Sequence, residues 1–189
     1  MATVNLLPSS DVSGNQNFDL VGGTAAYANL EDGGDTRGVQ ASDQNKYCVV
    51  ELDNYTAGGT VDSIRWYVRG AYRFIRSGDT DVQVVLALGD HAPVTGSANA
   101  HYSETFTLTF NGGYAPQDYY GTARTTDVGG NPWVALTLND LRLDINTTPE
   151  APDTPGGPTQ QATIWQAWVE VTYTAAAVTD NATFFGANF

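Results

Sequence analysis

Polar and apolar residues alternate along the run from Thr60 to Arg76, TVDSIRWYVRGAYRFIR. One parity holds the apolar residues Ile64, Trp66, Val68, Tyr72 and Phe74. The other parity holds Arg65, Tyr67, Arg69, Ala71 and Arg73. Successive side chains of a strand point to opposite faces, so this run predicts one long strand with an apolar face and an arginine-bearing face. Such a strand is typical of an antiparallel sheet with one solvated side.

The same alternation recurs along the chain and predicts about eight strands. The clearest segments are 17–21, 46–53, 60–76, 81–90, 102–110, 141–145 and 163–174, and a short edge strand is expected within 111–132. Only Ser77–Thr80 separates the third and fourth segments, which predicts a hairpin. In the last segment, Trp165, Ala167, Val169, Val171 and Tyr173 share one parity. For 132–141, a single helical turn and a covering segment both remain open.

These strands predict an all-β fold with two packed antiparallel sheets. The chain of 189 residues is long enough for one such domain, which we assign to residues 1–174, and its 20 glycines suit many tight turns. The segment 147–159 contains four prolines and is expected to be an exposed loop. Cys48 is the only cysteine, so it is expected to be a small core residue without an intrachain disulfide partner.

The charge of the chain excludes several classes of partner. It has 21 acidic and 8 basic residues, for a net charge of −13. Binding to nucleic acid or to an anionic membrane needs a basic surface, so neither is expected. No apolar stretch approaches the roughly 18 residues that a spanning helix needs. The first residues show no pattern of a signal peptide, so synthesis in the cytoplasm is expected.

Residues that could support catalysis are sparse. His91 and His101 lie ten residues apart, with no metal-ligand spacing and no nucleophile motif around them. We interpret them as exposed loop histidines. Glycoside hydrolysis would need two facing carboxylates, and the sequence singles out no such pair. The chain is therefore predicted to be neither an enzyme nor a cofactor-binding protein.

Two acidic loops are the candidate cation sites. They contain Glu31, Asp32 and Asp35 in one case and Asp79 and Asp81 in the other. Carboxylates and loop carbonyls are the ligands that Ca²⁺ prefers. Neither loop follows the EF-hand pattern, so solvated charge is the favoured interpretation and Ca²⁺ the alternative.

Arg65, Arg69 and Arg73 recur on one strand face and, with Arg76, form a basic stripe in an acidic protein. They could pair with carboxylates on neighbouring strands, or contact another subunit or the acidic surface of a partner. Pairing within the chain is favoured, because surface ion pairs are common.

Tyr114, Tyr119 and Tyr120 lie in a glycine-rich segment. Such side chains can stack on sugar rings or anchor a protein partner at little entropic cost. The favoured interpretation is an aromatic lid over the open end of the sandwich.

The order of segments resembles jelly-roll-like domains of tailed-bacteriophage virion proteins, among them capsid decoration proteins, head fibres and minor tail proteins. The resemblance is based on LLPSSDVSG (6–14), the acidic loop EDGGD (31–35), IRWYVRGAYR (64–73), a Trp133-led segment before LRLDI, and WVEVTYT (168–174). It covers roughly residues 4–174. It implies a jelly-roll-like sandwich and a structural, non-enzymatic role as a symmetric oligomer.

The segment after the last strand is predicted to be an extended C-terminal arm, residues 175–189. It ends in TFFGANF, with Phe184, Phe185 and Phe189. Exposed apolar tails are usually avoided, so this arm is expected either to fold back onto its own sheet or to dock on a neighbour. Docking on a neighbouring subunit or a capsid is the favoured interpretation.

The favoured function is therefore a capsid decoration protein on the exterior of a virion. It would bind the major capsid protein and its own copies, as a trimer, through many weak symmetric contacts. The alternative is a tail-associated or surface carbohydrate-binding β-sandwich.

Overall fold

The computed structural model describes residues 1–16, 18–23, 25–31, 35, 37–41, 46–73, 80–88, 100–108, 115–148 and 161–177. Within these ranges the chain forms strands and two short helices. In order they are β1 (Ala2–Leu6), β2 (Pro8–Gln16), β3 (Asp19–Val21), α1 (Ala26–Glu31), β4 (Gly38–Ala41), β5 (Lys46–Leu52), β6 (Thr60–Arg73), β7 (Thr80–Leu88), β8 (Ala100–Leu108), β9 (Gln117–Tyr120), α2 (Ala135–Leu138), β10 (Leu141–Thr148) and β11 (Gln161–Thr174). The predicted all-β, antiparallel fold is confirmed.

The strands form two antiparallel sheets. In the six-stranded sheet the order is β3-β4-β11-β6-β9, and β1 also pairs with β11. The five-stranded sheet has the order β2-β5-β10-β7-β8. The two longest strands, β6 and β11, pair along almost their whole length and form the centre of the six-stranded sheet.

The core lies between the two sheets, and the alternation in β6 is confirmed. Ile64, Trp66 and Val68 are buried in the core, where the five-stranded sheet contributes residues such as Leu143 and Ile145. Cys48 is also fully buried there, as predicted, and burial raises the pKa of its thiol. Because Ile64, Trp66 and Val68 all belong to the apolar parity of β6, hydrophobic transfer determines which side of this part of the strand faces the core.

The predicted hairpin between the strands on either side of 77–80 is wrong. β6 pairs with β9 and β11, whereas β7 pairs with β8 and β10 in the opposite sheet. The chain therefore passes from one sheet to the other between these strands. The sequence of each strand has one apolar face. Two such strands can bury these faces either side by side in one sheet or in opposite sheets across the core, so the pattern does not distinguish the two arrangements.

Trp165 does not share the inward face of β11 with Ala167, Val169 and Val171, although its parity predicts that it does. The register to β6 shifts between Ile164 and Gln166, which leaves Trp165 as an extra residue in a bulge. Ile164 and Ala167 both belong to the core, and Trp165 is buried outside that core cluster. The bulge allows apolar residues of both parities to be buried.

Several elements were not predicted. The described part of the chain has eleven strands rather than about eight, because β1, β2 and β4 supply short additional pairings. The segment that leads into the first acidic loop forms α1, whose first N–H groups, on Ala26 and Tyr27, donate to the Asp11 carboxylate. A carboxylate at this position satisfies donors that the helix leaves open.

For 132–141, the sequence left a helical turn and a covering segment open. The structure has a helical turn there, α2.

No helix in the described part of the chain is long and apolar enough to cross a membrane.

Candidate functional site on the outer face of the six-stranded sheet

Three aromatic side chains form a row on the side of the six-stranded sheet that faces away from the core. Trp168 of β11 lies opposite Tyr67 of β6, and Tyr67 lies opposite Tyr120 of β9. The Trp168 and Tyr67 rings stack with centroids 3.7 Å apart, and the Tyr120 ring meets Tyr67 edge-on at 5.0 Å. These three residues are called the aromatic row below.

The aromatic row is anchored at its centre and open at its ends. Tyr67 is only 4% exposed, while Tyr120 is 52% exposed and Trp168 is partly exposed. Aromatic groups of this size are usually withdrawn from solvent, so an exposed row is a candidate contact surface.

An ion pair flanks the aromatic row on one side. The Arg65 Nε–H donates to Glu170 Oε1 at 2.7 Å, across β6 and β11. The Arg65 guanidinium also lies over the Tyr120 ring, 4.7 Å from its centroid. Arg65 and Glu170 are called the Arg65 pair below. The pair holds one edge of the aromatic row, because the Arg65 guanidinium makes both the ion pair and the cation–π contact.

A cluster of three charged residues flanks the other side. The Arg69 guanidinium donates from Nε and Nη2 to the two oxygens of Asp35, at 2.8 and 3.0 Å. It also donates from Nη1 to Asp118 Oδ1 at 2.7 Å, and that oxygen accepts a second bond from the Tyr67 hydroxyl. Arg69, Asp35 and Asp118, the Arg69 cluster, are thus tied to the aromatic row.

These contacts keep the Arg69 cluster charged. Hydrogen bonding to Arg69 lowers the pKa of both Asp35 and Asp118, and the two carboxylates raise the pKa of Arg69. Burial, followed by the hydrogen bond to Asp118, raises the pKa of Tyr67, so its hydroxyl remains protonated and acts as a donor. The face therefore presents fixed donors and fixed acceptors.

The arginines of the predicted basic stripe are distributed as follows. Arg65 and Arg69 lie on this face and pair with carboxylates of the same chain, as the favoured interpretation expected. Arg73 ends β6, and its side chain lies outside the described residues, as does Arg76. A role for Arg65, Arg69 and Arg73 in assembly stays a prediction.

The structure separates the three predicted tyrosines. Tyr120 belongs to the aromatic row, whereas Tyr119 points to the other side of β9 and packs against Phe106 with centroids 4.5 Å apart. Tyr114 lies outside the described residues. Of the three, Tyr120 alone is placed on the outer face by the described structure.

Other predicted site residues contribute little to this face. Phe184, Phe185 and Phe189 lie outside the described residues, as do His91, Asp32, Asp79 and the side chains of His101 and Asp81. Asp35, from the first acidic loop, belongs to the Arg69 cluster, and Glu31 is exposed. The described residues contain no group of three His, Cys, Asp or Glu side chains placed to hold a metal ion. The absence of a cofactor, with Ca²⁺ at the acidic loops as the alternative, stays a prediction.

A separate polar cleft of about 340 Å³ lies at one end of the five-stranded sheet. It is lined by Ser9, Glu51, Leu52, Asp53, Asn54, Asn139, Asp140, Leu141 and Arg142. Arg142 is paired with Glu51 at 3.0 Å, and the Asn139 side chain accepts the Tyr55 N–H. This lining includes no aromatic side chain, in contrast to the outer face of the other sheet.

The sequence analysis did not single out four residues of this candidate site: Tyr67, Trp168, Asp118 and Glu170. A signal was present for the two aromatics. Tyr67 lies on the arginine-bearing parity of its strand, and Trp168 lies on the same parity as Glu170. A large aromatic on the solvated parity of a strand indicates a surface contact, because burial in the main core does not account for it.

Comparisons with known proteins give only distant likenesses. No known family and no curated protein matches the chain. Among solved structures, TmCBM61 in complex with β-1,4-galactotriose is similar at 9% identity and a TM-score of 0.35, over 85% of this chain and 90% of that one. An exo-β-agarase is similar at 13% identity and a TM-score of 0.40, over 93% of this chain and 26% of the agarase chain.

Proposed function

We propose that the protein binds carbohydrate on the outer face of its six-stranded sheet. The observation that supports this proposal is the aromatic row, flanked on both sides by fixed charged groups. The proposal corresponds to the carbohydrate-binding alternative of the sequence analysis. Of the three tyrosines named there, the proposed site keeps Tyr120 and adds Tyr67 and Trp168 on the face of the sheet.

The chemistry of the face suits a sugar. A sugar ring has apolar C–H surface and many hydroxyl groups that both donate and accept hydrogen bonds. Aromatic side chains bury apolar surface, and a few well-placed polar groups supply orientation and specificity. The aromatic row supplies the apolar surface. The carboxylates beside it can accept hydrogen bonds from sugar hydroxyls, and the guanidinium groups can donate hydrogen bonds to them.

The geometry of the face is also suitable. Neighbouring strands lie about 4.8 Å apart, so a row across three strands spans about 10 Å. Each flanking group lies two residues along β6 from Tyr67, which places it about 7 Å from the row. Because these side chains are held by one another on a regular sheet, binding would order few additional groups.

Alanine substitutions at Trp168 and Tyr120 test the proposal. Each should weaken binding to a recognised oligosaccharide at least about tenfold, since aromatic anchors dominate such interfaces. Binding is measured by calorimetry after a glycan array has identified the oligosaccharide. Leu136→Ala is the matched control, because Leu136 is an 82% exposed apolar side chain on α2, which is not part of the six-stranded sheet.

The folded state of each variant must be compared in the same experiment. Tyr120 is half exposed, so its loss should leave the fold intact by circular dichroism. Retained affinity in both folded variants would contradict the proposal, as would an array on which the unmodified protein binds no glycan.

The virion assignment stays a prediction, together with the capsid partner, the trimer and the docking of the C-terminal arm. A decoration or tail protein could carry the proposed glycan site, so the two predictions are compatible. Light scattering on the full chain and on residues 1–174 tests the arm: a trimer that requires 175–189 would support its role in assembly.

A further inference from the structure

We infer that the glycan bound by this face is neutral and that anionic glycans are rejected. The inference rests on the proposed function and specifies its ligand. It follows from how the charges beside the aromatic row are paired with one another.

Each arginine beside the aromatic row has a carboxylate partner in the same chain. The Arg65 pair contains one carboxylate, and the Arg69 cluster contains two. The two flanking groups therefore hold three carboxylates against two guanidiniums. An anionic sugar placed on the row would meet a slight excess of negative charge, in a chain whose net charge is −13.

Arg69 is already bound in the geometry that an anion would use. Asp35 accepts two parallel bonds from Arg69, the fork arrangement in which a guanidinium recognises a carboxylate. A sugar carboxylate or sulfate would have to displace Asp35 and leave that charge unpaired. An anionic sugar that replaces Asp35 on Arg69 exchanges one ion pair for an equivalent one, so the exchange adds no net affinity for the sugar.

A neutral glycan needs no such exchange. Paired carboxylates still have lone pairs for hydroxyl donors, and a guanidinium has five N–H groups, so both can bond to hydroxyls while their ion pairs persist. The paired charges thus act as hydrogen-bonding groups without attracting anions.

Affinity electrophoresis of the full chain tests the inference. Native gels contain a neutral polymer, such as galactan, agarose, mannan or β-glucan, or an acidic one, such as polygalacturonate or alginate. At least one neutral polymer should retard the protein, and the retardation should persist at 0.5 M NaCl because no counterions are released. The acidic polymers should give no retardation.

A charge variant makes the test sharper. Glu170→Gln releases Arg65 from its pair and should raise affinity for polygalacturonate about tenfold, the effect of one charge-assisted hydrogen bond. Glu51→Gln is the matched control: it removes the same charge from the pair with Arg142 on the five-stranded sheet and should produce no gain.

The outcomes separate this inference from the proposed function. Salt-sensitive binding of the unmodified protein to an acidic polymer would overturn the inference and leave carbohydrate binding standing. No gain in Glu170→Gln, or an equal gain in Glu51→Gln, would also overturn it. Retardation by no polymer of either class would instead remove the proposed function itself.

Discussion

Replacing Glu104 with glutamine should lower the free energy of unfolding by about 3 kcal/mol, because it disrupts a partly buried carboxylate that accepts hydrogen bonds from three donors. Glu104 belongs to β8, at the edge of the five-stranded sheet. Its Oε2 accepts the Trp66 Nε1–H at 2.8 Å and the Thr122 backbone N–H at 2.9 Å. Its Oε1 accepts from Arg124 Nη2 at 2.6 Å.

Glutamine has the right size for this site but the wrong hydrogen-bonding groups. An amide replaces one acceptor oxygen with an NH₂ donor, which would face either Arg124 or the Trp66 and Thr122 donors. All three partners lie in or next to the six-stranded sheet, since Trp66 belongs to β6, Thr122 follows β9 and Arg124 forms a backbone bridge with Ile64. Glu104 therefore joins the edges of the two sheets, and its loss weakens closure of the sandwich.

The effect of Glu104 should depend on pH. Burial alone would raise its pKa, but the hydrogen bonds from Thr122, Arg124 and Trp66 together lower it below the ordinary 4.5. A lowered pKa means that the carboxylate adds stability above about pH 4.5 and that this stability is lost as the pH falls through the folded-state pKa. The difference in stability between the variant and the unmodified protein should therefore shrink as the pH falls below 4.5.

Urea denaturation at pH 7 and at pH 3 measures this effect. Glu170→Gln is the matched control, since it makes the same change in a carboxylate that accepts a hydrogen bond from Arg65 rather than from three donors, and it should cost less than about 1 kcal/mol. A Glu104→Gln variant as stable at pH 7 as Glu170→Gln would show that Glu104 does not join the sheets.

Parity along a strand predicts which face a residue occupies, but not which residues lie beside it. The alternation in 60–73 therefore predicted the inward side of β6 and the outward direction of Arg65 and Arg69. The aromatic row depends instead on registers between strands that lie far apart in sequence. Trp168 lies about a hundred positions from Tyr67, and no local pattern sets that pairing.

The sheet to which each strand belongs is a second feature that the sequence pattern does not predict. β6 and β7 are neighbours in the chain and lie in opposite sheets, because an apolar face can be buried against either kind of partner. The short strand β9 brings Tyr120 and Asp118 to the outer face, yet it is four residues long in a glycine-rich segment. Such a strand is held by its neighbour β6 and has little pattern of its own.

Asp144 has an environment that the alternation of its strand does not indicate. In LRLDI it alternates with Leu143 and Ile145, which points it away from the main core and toward solvent. The structure buries its side chain completely, with Val49 of β5 as the opposite residue. Burial raises the pKa of Asp144 to about 7, against a smaller lowering effect of the hydrogen bond with Asn146.

This pKa predicts that Asp144 destabilises the protein at alkaline pH. The folded state holds the proton up to about pH 7, whereas the unfolded chain releases it near 3.8. Below about pH 4 the group is protonated in both states and has no effect. Stability should then fall as the pH rises from about 4 to 7, and above pH 7 the full cost remains.

Replacing Asp144 with asparagine should therefore stabilise the protein above pH 7, since the amide is neutral and similar in size. The gain at pH 8 could reach about 4 kcal/mol, the free energy that corresponds to the difference between the two pKa values. At pH 4 the variant and the unmodified protein should be nearly equal. Asp140→Asn, at an exposed position beside the same strand, is the matched control and should change stability little at either pH. A variant at Asp144 that is less stable than the unmodified protein at pH 8 would mean that the folded state uses this carboxylate in its charged form.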